Sequence, residues 1–323
     1  MTLQTRISHA NYYGDGHLVN NPQPLEGQRE PLCVFEKVAN EDIRDHELMY
    51  SIGLAIHNQE NIIEDIIISI IANTIGKYEL IIILDACTDK TQEAINRALM
   101  NIYEIRLSNN LLNLAKITIV NQPTPIFETS CDNLAATIAR GKYYINVQAD
   151  CKIHTFGWNW ILSKPCIAWS DVFAVSGRAA HDLFAPQSGV GKLGMDNSEP
   201  LKATFDHFDT FYSYETCIRT PLLFDLEKLR ELGYMDEQNF CMDGDDHDLM
   251  ARAALKGWKC GYVPIEYESQ LMWGSTRKGM DSANQAVFDA RMARSNGGYL
   301  GTLPKDRVLP EPELRKIPFI AWK

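Results

Sequence analysis

The chain has 323 residues, of which 45% are hydrophobic, so it can bury a full α/β core in one large domain with or without appendages. Its 31 Lys and Arg against 42 Asp and Glu give a net charge of −11, which argues against a nucleic-acid partner held by a broad basic surface. The eight cysteines contain no CxxC pair, which argues against a zinc knuckle or a dense disulfide framework and indicates reduced thiols.

The sequence carries no clear membrane or export signal. The first 20 residues lack the charged-then-apolar pattern of a signal peptide, so secretion by that route is not expected. The most apolar stretch, residues 62–84, is interrupted by acidic, amide and lysine side chains and cannot supply a spanning segment of about 20 residues. We predict a cytoplasmic location, with peripheral association at the cytoplasmic side of a membrane left open.

Strand and helix patterns alternate from residue 50 onwards. Residues 1–48 show no sustained period and predict an irregular arm. Apolar runs predict strands at 50–56, 79–85, 116–121 and 142–147, and helical spacing predicts helices at 60–73, 88–107 and 128–140 between them. The second run is almost entirely Ile and Leu, as in a strand buried on both faces. The alternation predicts a Rossmann-like α/β fold with a mixed, mainly parallel sheet flanked by helices.

The pattern is looser beyond residue 150. It predicts a short helix at 158–162, a strand at 172–177 and a long loop at 180–205 of the kind that often forms a lid or binding loop. Helices at 226–232, 245–256 and 282–295, with a strand at 259–263, complete the prediction. We therefore expect an arm at 1–48, a main domain at 49–275 with halves at 49–150 and 151–275, and a C-terminal helix and tail at 276–323.

Two carboxylates follow predicted strands, where ligands of such sheets bind. Burying Asp85 at the end of so apolar a strand costs free energy unless something offsets it, which favours a ligand contact, while Thr88 and Asp89 beside it are expected to cap a helix. Asp150 is a hard oxygen ligand suited to Mg²⁺ or Mn²⁺, although an Asx turn is an equally open interpretation. His154 is a candidate second ligand, with a loop histidine as the simpler alternative.

The densest acidic cluster covers residues 243–248 at the start of a predicted helix. The macrodipole favours acids in a first turn, so a single one is explained as a cap. Four within six residues exceed that need, and like charges raise one another's pKa, which suits a group that accepts a proton near neutral pH. His247, inside the cluster, is a candidate for tuning that base or a residue that simply faces solvent, and the sequence favours the second.

Together these segments resemble the family 2 glycosyltransferases of the GT-A fold, over about residues 50–264. Residues 51–58 are similar to the family's opening strand and loop, 79–91 to its uracil-binding strand and turn, and 133–150 to its helix, Gly-containing turn and DXD strand. The most specific part runs from Thr220-Pro221 through 233–237 to 244–249, Arg252 and Gly257, and is similar to the acceptor-side segment in order and spacing.

The resemblance implies inverting transfer of a sugar from a UDP- or GDP-sugar to a hydroxyl of a glycan, lipid-linked or protein acceptor. Residues 49–150 would form the nucleotide-sugar half and 151–275 the acceptor half. Asp85 would contact the nucleotide base, Asp150 would hold Mn²⁺ or Mg²⁺, and Asp246, with Asp245 beside it, would act as catalytic base. The other nucleotide-binding candidates are Ala55, His57, Asn58, Asn133 and Ala149.

Four residues are candidates for contacts with phosphate or acceptor, namely Arg178, Arg219, Trp273 and His154. Arginine binds phosphate by bidentate contacts and a tryptophan face suits a sugar ring, whereas a solvated arginine and a core or rim tryptophan are the simpler alternatives.

The sequence departs from the family pattern at the expected donor site. Ala55 replaces a usual Pro, Leu84 the first of two Asp, and Gln148 the first acid of DXD, and no His follows His247. The alternative function is therefore a catalytically decayed carbohydrate-binding or scaffold protein on the same fold.

Overall fold

The computed structural model describes residues 4–10, 32–38, 48–109, 113–183, 192–194, 209–242, 244–269, 285–286, 288–290, 293, 298–304 and 312–321. The helices are α1 Ile63–Asn73, α2 Thr91–Asn109, α3 Phe127–Ile138, α4 Trp158–Ala168, α5 Leu226–Glu231 and α6 Asp245–Leu255, with a 3₁₀ turn at Tyr299–Thr302. The strands are β1 Gln4–Ala10, β2 Leu32–Val38, β3 Tyr50–Ile56, β4 Tyr78–Asp85, β5 Leu114–Gln122, β6 Tyr143–Gln148, β7 Cys151–Ile153, β8 Val172–Ser176, β9 Ala179–His181, β10 Lys192–Gly194, β11 Thr210–Tyr214, β12 Thr216–Cys217, β13 Leu222–Asp225, β14 Lys259–Tyr262, β15 Tyr267–Ser269 and β16 Glu313–Lys316.

One large sheet organises the molecule. Its strand order is β1-β2-β5-β4-β3-β6-β13-β8-β14-β11-β16, and every strand runs in the same direction except β2, β13 and β11. A smaller sheet joins β10, β9 and β12, and a ribbon joins β15 to β7. The predicted mixed, mainly parallel sheet with flanking helices is confirmed.

Strand β4 shows why the sheet is buried on both faces. Leu80, Ile82 and Leu84 point into one apolar cluster, with α1, α2 and α4, and Ile81 and Ile83 point into the other, with α3, α5 and α6. Successive side chains of a strand alternate between faces, so a strand covered on both sides must be apolar throughout. The Ile-rich run is the sequence form of that double coverage.

Several elements differ from the sequence-based expectation. Strands β1 and β2 lie within the segment expected to be irregular, and β2 pairs with β5 in a register from Cys33 opposite Asn121 to Val38 opposite Lys116. Strands β11, β13 and β16 were not predicted either. All five are fixed by partners distant in the chain, which a local period cannot reveal. Most of the loop expected at 180–205 and of the helix expected at 282–295 lies outside the described residues.

Strand β3 is the turning point of the topology. From β3 the chain moves to β4 and β5 on one side, and it returns to β6 on the other side. A parallel sheet binds ligands in the crevice beyond the strand ends at such a switch point. Gly53 allows β3 and β6 to pair here, because a Cβ at this position would collide with the Tyr144 side chain on β6.

None of the helices that the structure describes is both long enough and apolar enough to cross a bilayer.

Candidate active site

The carboxyl ends of β3, β4, β6 and β8 lie at one rim of the sheet. Ala55 of β3 pairs with Gln148 of β6, and Ile56 pairs with Leu84 of β4. On the other side, the antiparallel β13 begins at this rim, with Leu222 opposite both Asn146 of β6 and Ser176 of β8. The residues that follow these strand ends therefore share the rim: His57, Asn58, Asp85, Ala149, Asp150 and Arg178.

The loops that follow β3 and β4 are bonded to each other. His57 Nδ1 lies 2.6 Å from the carbonyl oxygen of Asp85, so this nitrogen donates. Asn58 Oδ1 accepts from the backbone N–H groups of Thr88 and Asp89 at 2.8 and 3.3 Å. The two predicted nucleotide-binding candidates of the first loop thus hold the second loop in place.

Left-handed backbone conformations gather at this part of the rim. Asn58, Ala86 and Phe127 have φ values of 49°, 51° and 66°. Such conformations cost free energy for residues other than glycine and are concentrated at functional sites in proteins. They support this rim as the place to look for function.

Asp85 has a structural partner at each carboxylate oxygen. Its Oδ1 accepts from Ile126 N–H at 2.8 Å and its Oδ2 from Phe127 N–H at 2.9 Å, at the start of α3. Helix N-termini leave such N–H groups without intrahelical partners and favour negative charge. The start of α3 therefore offsets the desolvation cost of Asp85, which the sequence argument had assigned to a ligand.

A charge cluster, which we call the Arg219 cluster, consists of the buried Arg219, Asp132 and Asp245 and the partly buried Glu128. The Arg219 side chain is 5% exposed and forms ion pairs with Glu128 at 2.9 Å, with Asp132 at 3.0 Å and with Asp245. Burial raises the pKa of Glu128 and raises that of Asp132 well above its usual range, with Arg219 acting in the opposite direction. Three carboxylates thus share one guanidinium, and proton uptake relieves part of the excess negative charge.

The structure does not support Arg219 as a phosphate contact or Asp245 as a proton acceptor. The Arg219 charge is directed at three carboxylates, and Asp245, 1% exposed, also accepts from Thr129 Oγ1 at 2.5 Å. Both residues instead hold the start of α6 against α3.

The first turn of α3 connects the predicted acids to one another. The backbone N–H groups of Ile126 and Phe127 donate to the Asp85 carboxylate. Glu128 accepts a hydrogen bond from Gln148 Nε2 at 2.6 Å, and the Thr129 hydroxyl donates to the Asp245 carboxylate. A chain of direct contacts therefore runs from Asp85, past the end of β6 that carries Asp150, to the helix that carries Asp246.

Asp246 differs from its neighbours because its carboxylate is only partly engaged. Oδ1 accepts from His247 N–H at 2.9 Å, and Oδ2 makes no hydrogen bond with any residue that the structure describes. Burial raises the pKa of Asp246, but His247, Arg219 and His181 lower it by more, so the net pKa falls below the usual range for Asp. This is the opposite of the raised pKa expected from the acidic cluster, because the sequence argument counted the neighbouring acids and not these cations. The carboxylate is therefore ionised across the neutral range and has an oxygen able to accept a proton.

The residues around Asp150 form a limited oxygen site. Oδ2 of Asp150 accepts from Ser269 Oγ at 2.6 Å across the β7–β15 ribbon. His154 is a predicted second ligand, and its Nε2 lies 3.1 Å from Oε2 of Glu268 on the same ribbon. Within the described part of the chain, no three His, Cys, Asp or Glu side chains come together as metal ligands. A Mg²⁺ or Mn²⁺ ion at Asp150 would therefore have to take most of its ligands from phosphate and water.

The remaining candidates have varied environments. Asn133 is 1% exposed, and its amide bonds the backbone of Met235 at both ends, at 2.9 and 3.0 Å, which is a structural role. Ala55 and Ala149 line the ends of β3 and β6. Arg178 follows β8. Burial raises the pKa of Cys151, the residue after Asp150, and Arg178 is close enough for its charge to lower it. Trp273 lies outside the described residues.

Sequence reasoning missed four residues that shape this rim: Glu128, Asp132, His181 and Ser269. Each is defined by a partner more than 50 residues away in the chain, such as Ser269 by Asp150 and Asp132 by Arg219. The acids of α3 sit in a helix pattern that predicts only local structure. His181 lies in the segment predicted as a loop.

No protein-family model matches the sequence, and no curated protein matches it. Similar solved structures include the mannosyltransferase PcManGT from Pyrobaculum calidifontis, in complex with GDP-Man and Mn²⁺, at 17% identity and a TM-score of 0.46, over 67% of this chain and 54% of that one. TarS from S. aureus is similar at 13% identity and a TM-score of 0.45, over 78% of this chain and 44% of that one. GalNAc-T7 with UDP, GalNAc and Mn²⁺ is similar at 18% identity and a TM-score of 0.49, over 71% of this chain and 45% of that one. The chain spans about half the length of these glycosyltransferases, and the likeness is one of chain path.

Proposed function

We propose that the chain is a metal-assisted glycosyltransferase that moves a sugar from a nucleoside-diphosphate sugar to an acceptor hydroxyl with inversion. The observation that supports it most is the set of contacts around the first turn of α3. They join Asp85 at the end of β4, Gln148 at the end of β6 near Asp150, and the start of α6 with Asp246, and His57 joins the loop after β3 to Asp85. These are the segments whose sequences resemble family 2 glycosyltransferases.

In this proposal Asp246 is the catalytic base. Its available oxygen takes the proton from the acceptor hydroxyl as the hydroxyl oxygen forms a bond to the anomeric carbon. The bond from that carbon to the nucleoside diphosphate breaks on the opposite face, which inverts the anomeric centre. The Arg219 cluster fixes the helix that carries the base.

Asp150, with Ser269 bonded to it, would hold the divalent cation. Mn²⁺ or Mg²⁺ would supply electrostatic stabilisation of the departing diphosphate. Asp85 keeps the α3 start and the donor loop together, and its contact with the nucleotide base remains part of the proposal. His57 and Asn58 shape the loop on which the base would lie, and Arg178 is the remaining arginine candidate for phosphate.

The second candidate is a catalytically decayed carbohydrate-binding protein. Two observations favour it, namely that Gln148 bonds Glu128 rather than offering a carboxylate, and that both Asp85 oxygens already have backbone partners. Such a protein would bind a sugar or a nucleotide sugar without consuming it.

A panel of nucleotide sugars with Mn²⁺ separates the two candidates. We expect one UDP- or GDP-sugar to raise the melting temperature and to release nucleoside diphosphate slowly by transfer to water. Binding without release would favour the decayed protein. Neither binding nor release with any donor would exclude the transferase and would favour a decayed protein that binds a sugar without the nucleotide.

Asp150→Ala tests the metal assignment. We expect donor binding, measured by calorimetry, to become independent of Mn²⁺, because the one carboxylate that anchors the ion is gone. The matched control is Asp65→Ala, an exposed acid that bonds Lys152 at 3.4 Å and should leave the Mn²⁺ dependence unchanged. An Asp150→Ala protein with the wild-type dependence would contradict the assignment.

A further inference from the structure

Two histidines lie beside Asp246 and have no part in the proposed mechanism. His181 ends β9 and is 4% exposed, and His247 lies in the first turn of α6. Their rings meet edge to face, with centroids 4.9 Å apart and an interplanar angle of 80°. His247 Nε2 lies 3.9 Å from Asp246 Oδ1. The His247 side chain is 26% exposed, so it faces solvent in part, and the His181 ring covers one side of its ring.

The His181 ring has a fixed orientation. Its Nδ1 lies 2.6 Å from the carbonyl oxygen of Asp182, and because a carbonyl only accepts, Nδ1 carries a proton. The backbone of His181 is held on both sides of β9, opposite Thr216 of β12 and Lys192 of β10. The ring is thus a rigid surface against which the His247 ring packs.

We infer that His181 is a positioning residue of this site, whose ring holds the His247 imidazole against Asp246. The role of Asp246 as base rests on the proposed function. The packing of His181 on His247 does not rest on it, since it is given by the ring geometry.

The charges around Asp246 show what this positioning achieves. His247 and Asp245 face it from α6, Arg219 from the segment before β13, His181 from β9, and the Cys217 thiol from β12. Burial raises the pKa of Asp246, and the cations His247, Arg219 and His181 lower it. Imidazoles are protonated at the acid pH at which carboxylates titrate. Losing either ring should therefore raise the pKa of Asp246.

The first test is the pH profile of donor hydrolysis, followed as nucleoside diphosphate release from the sugar nucleotide that the panel identifies, with Mn²⁺. We expect the acid limb of kcat to move up by about one pH unit in His181→Gln and in His247→Gln, because a cation is lost beside the base. Thr216→Val is the matched control. Thr216 is buried opposite His181, and its hydroxyl makes no hydrogen bond within the described residues. Identical acid limbs in all four proteins would overturn the inference.

The second test needs no turnover. The carboxyl ¹³C signal of Asp246 in the full chain gives its titration midpoint, and the change in this midpoint on His247→Gln measures how strongly the two groups interact. We expect that change to be at least halved when His181 is replaced by Gln. An unchanged interaction would refute the positioning role, whereas a wild type that consumes no donor would refute only the proposed transferase activity.

Discussion

Asp85 and Asp246 are two acids at the same rim with opposite environments. Asp85 is bonded at both carboxylate oxygens by backbone N–H groups of α3, whereas Asp246 has one oxygen bonded by its own helix and one with no hydrogen bond to the described residues. The first arrangement fixes backbone, and the second leaves a group ready to accept a proton. Both carboxylates are buried, so burial does not distinguish a structural acid from a catalytic candidate at this rim. The difference lies in whether a carboxylate oxygen is still available to accept a hydrogen bond.

The sharpest test of this comparison is Asp246→Asn. We expect donor consumption to fall by about 10³-fold, because general base catalysis typically contributes 10²–10⁴. Donor affinity should stay near that of the wild type, since no donor contact is removed. Asp225→Asn is the control, because Asp225 ends β13 opposite Tyr143 and caps α5, at the edge of the sheet away from this rim. Equal losses of affinity and turnover in Asp246→Asn would contradict its role as base.

Replacing Arg219 tests whether the charges of the Arg219 cluster hold α6 against α3. We expect Arg219→Met to lower the free energy of unfolding by about 3–5 kcal/mol, because it leaves two buried carboxylates and the partly buried Glu128 without their cation. The loss should shrink as the pH falls, since protonation of Glu128 and Asp132, whose pKa values are raised, removes the uncompensated charge.

Denaturant unfolding between pH 5 and 8 measures this loss, with Arg230→Met as the control. Arg230 is an exposed arginine that donates to the carbonyl oxygen of Ala139 at 2.8 Å, and its loss should cost less than about 1 kcal/mol. A loss in Arg219→Met that grows as the pH falls would mean that the carboxylates are not the source of the instability.

The smallest expected effect concerns Asp85. We expect Asp85→Ala to lower the free energy of unfolding by about 2 kcal/mol without any donor present, because two N–H groups at the start of α3 lose a charged acceptor. Asp85→Asn keeps one acceptor and should lie between Ala and wild type. Thermal unfolding of the three proteins gives the order. If stability is unaffected and only donor affinity falls, the nucleotide contact, rather than the cap, is the function of this residue.

The sequence was most informative where structure is local. The Ile- and Leu-rich runs and the helical periods between them predicted β3 to β6 and α1 to α3. A continuous apolar run reflects a strand buried on both faces, and a helical period reflects a helix buried on one face. Strands β2 and β13 escaped prediction because their places depend on β5 and β6, far away in the chain.

The candidate site follows the same division. A strand end singles out Asp150 and a helix start singles out the acids at 243–248, which are local features, whereas the choice of Asp246 among these acids came from the family resemblance. The Arg219 cluster and the His181–His247 contact were not predicted, because each joins residues from separate elements. Asp85 shows a further reason, since its burial was anticipated but its partners, the backbone groups of Ile126 and Phe127, have no side-chain signature.

The hydrogen atom that stands in place of a side chain at position 53 has an effect well beyond its own strand. Tyr144 fills the space that Gly53 leaves, and its hydroxyl donates to the backbone oxygen of Asp132 at 3.3 Å, inside the Arg219 cluster. A mutational scan should therefore find residue 53 as intolerant as the chemistry-bearing positions. Residue 53 would be intolerant because any side chain there collides with the Tyr144 ring. Tyr144→Ala removes that ring and is therefore the second-site substitution expected to restore tolerance.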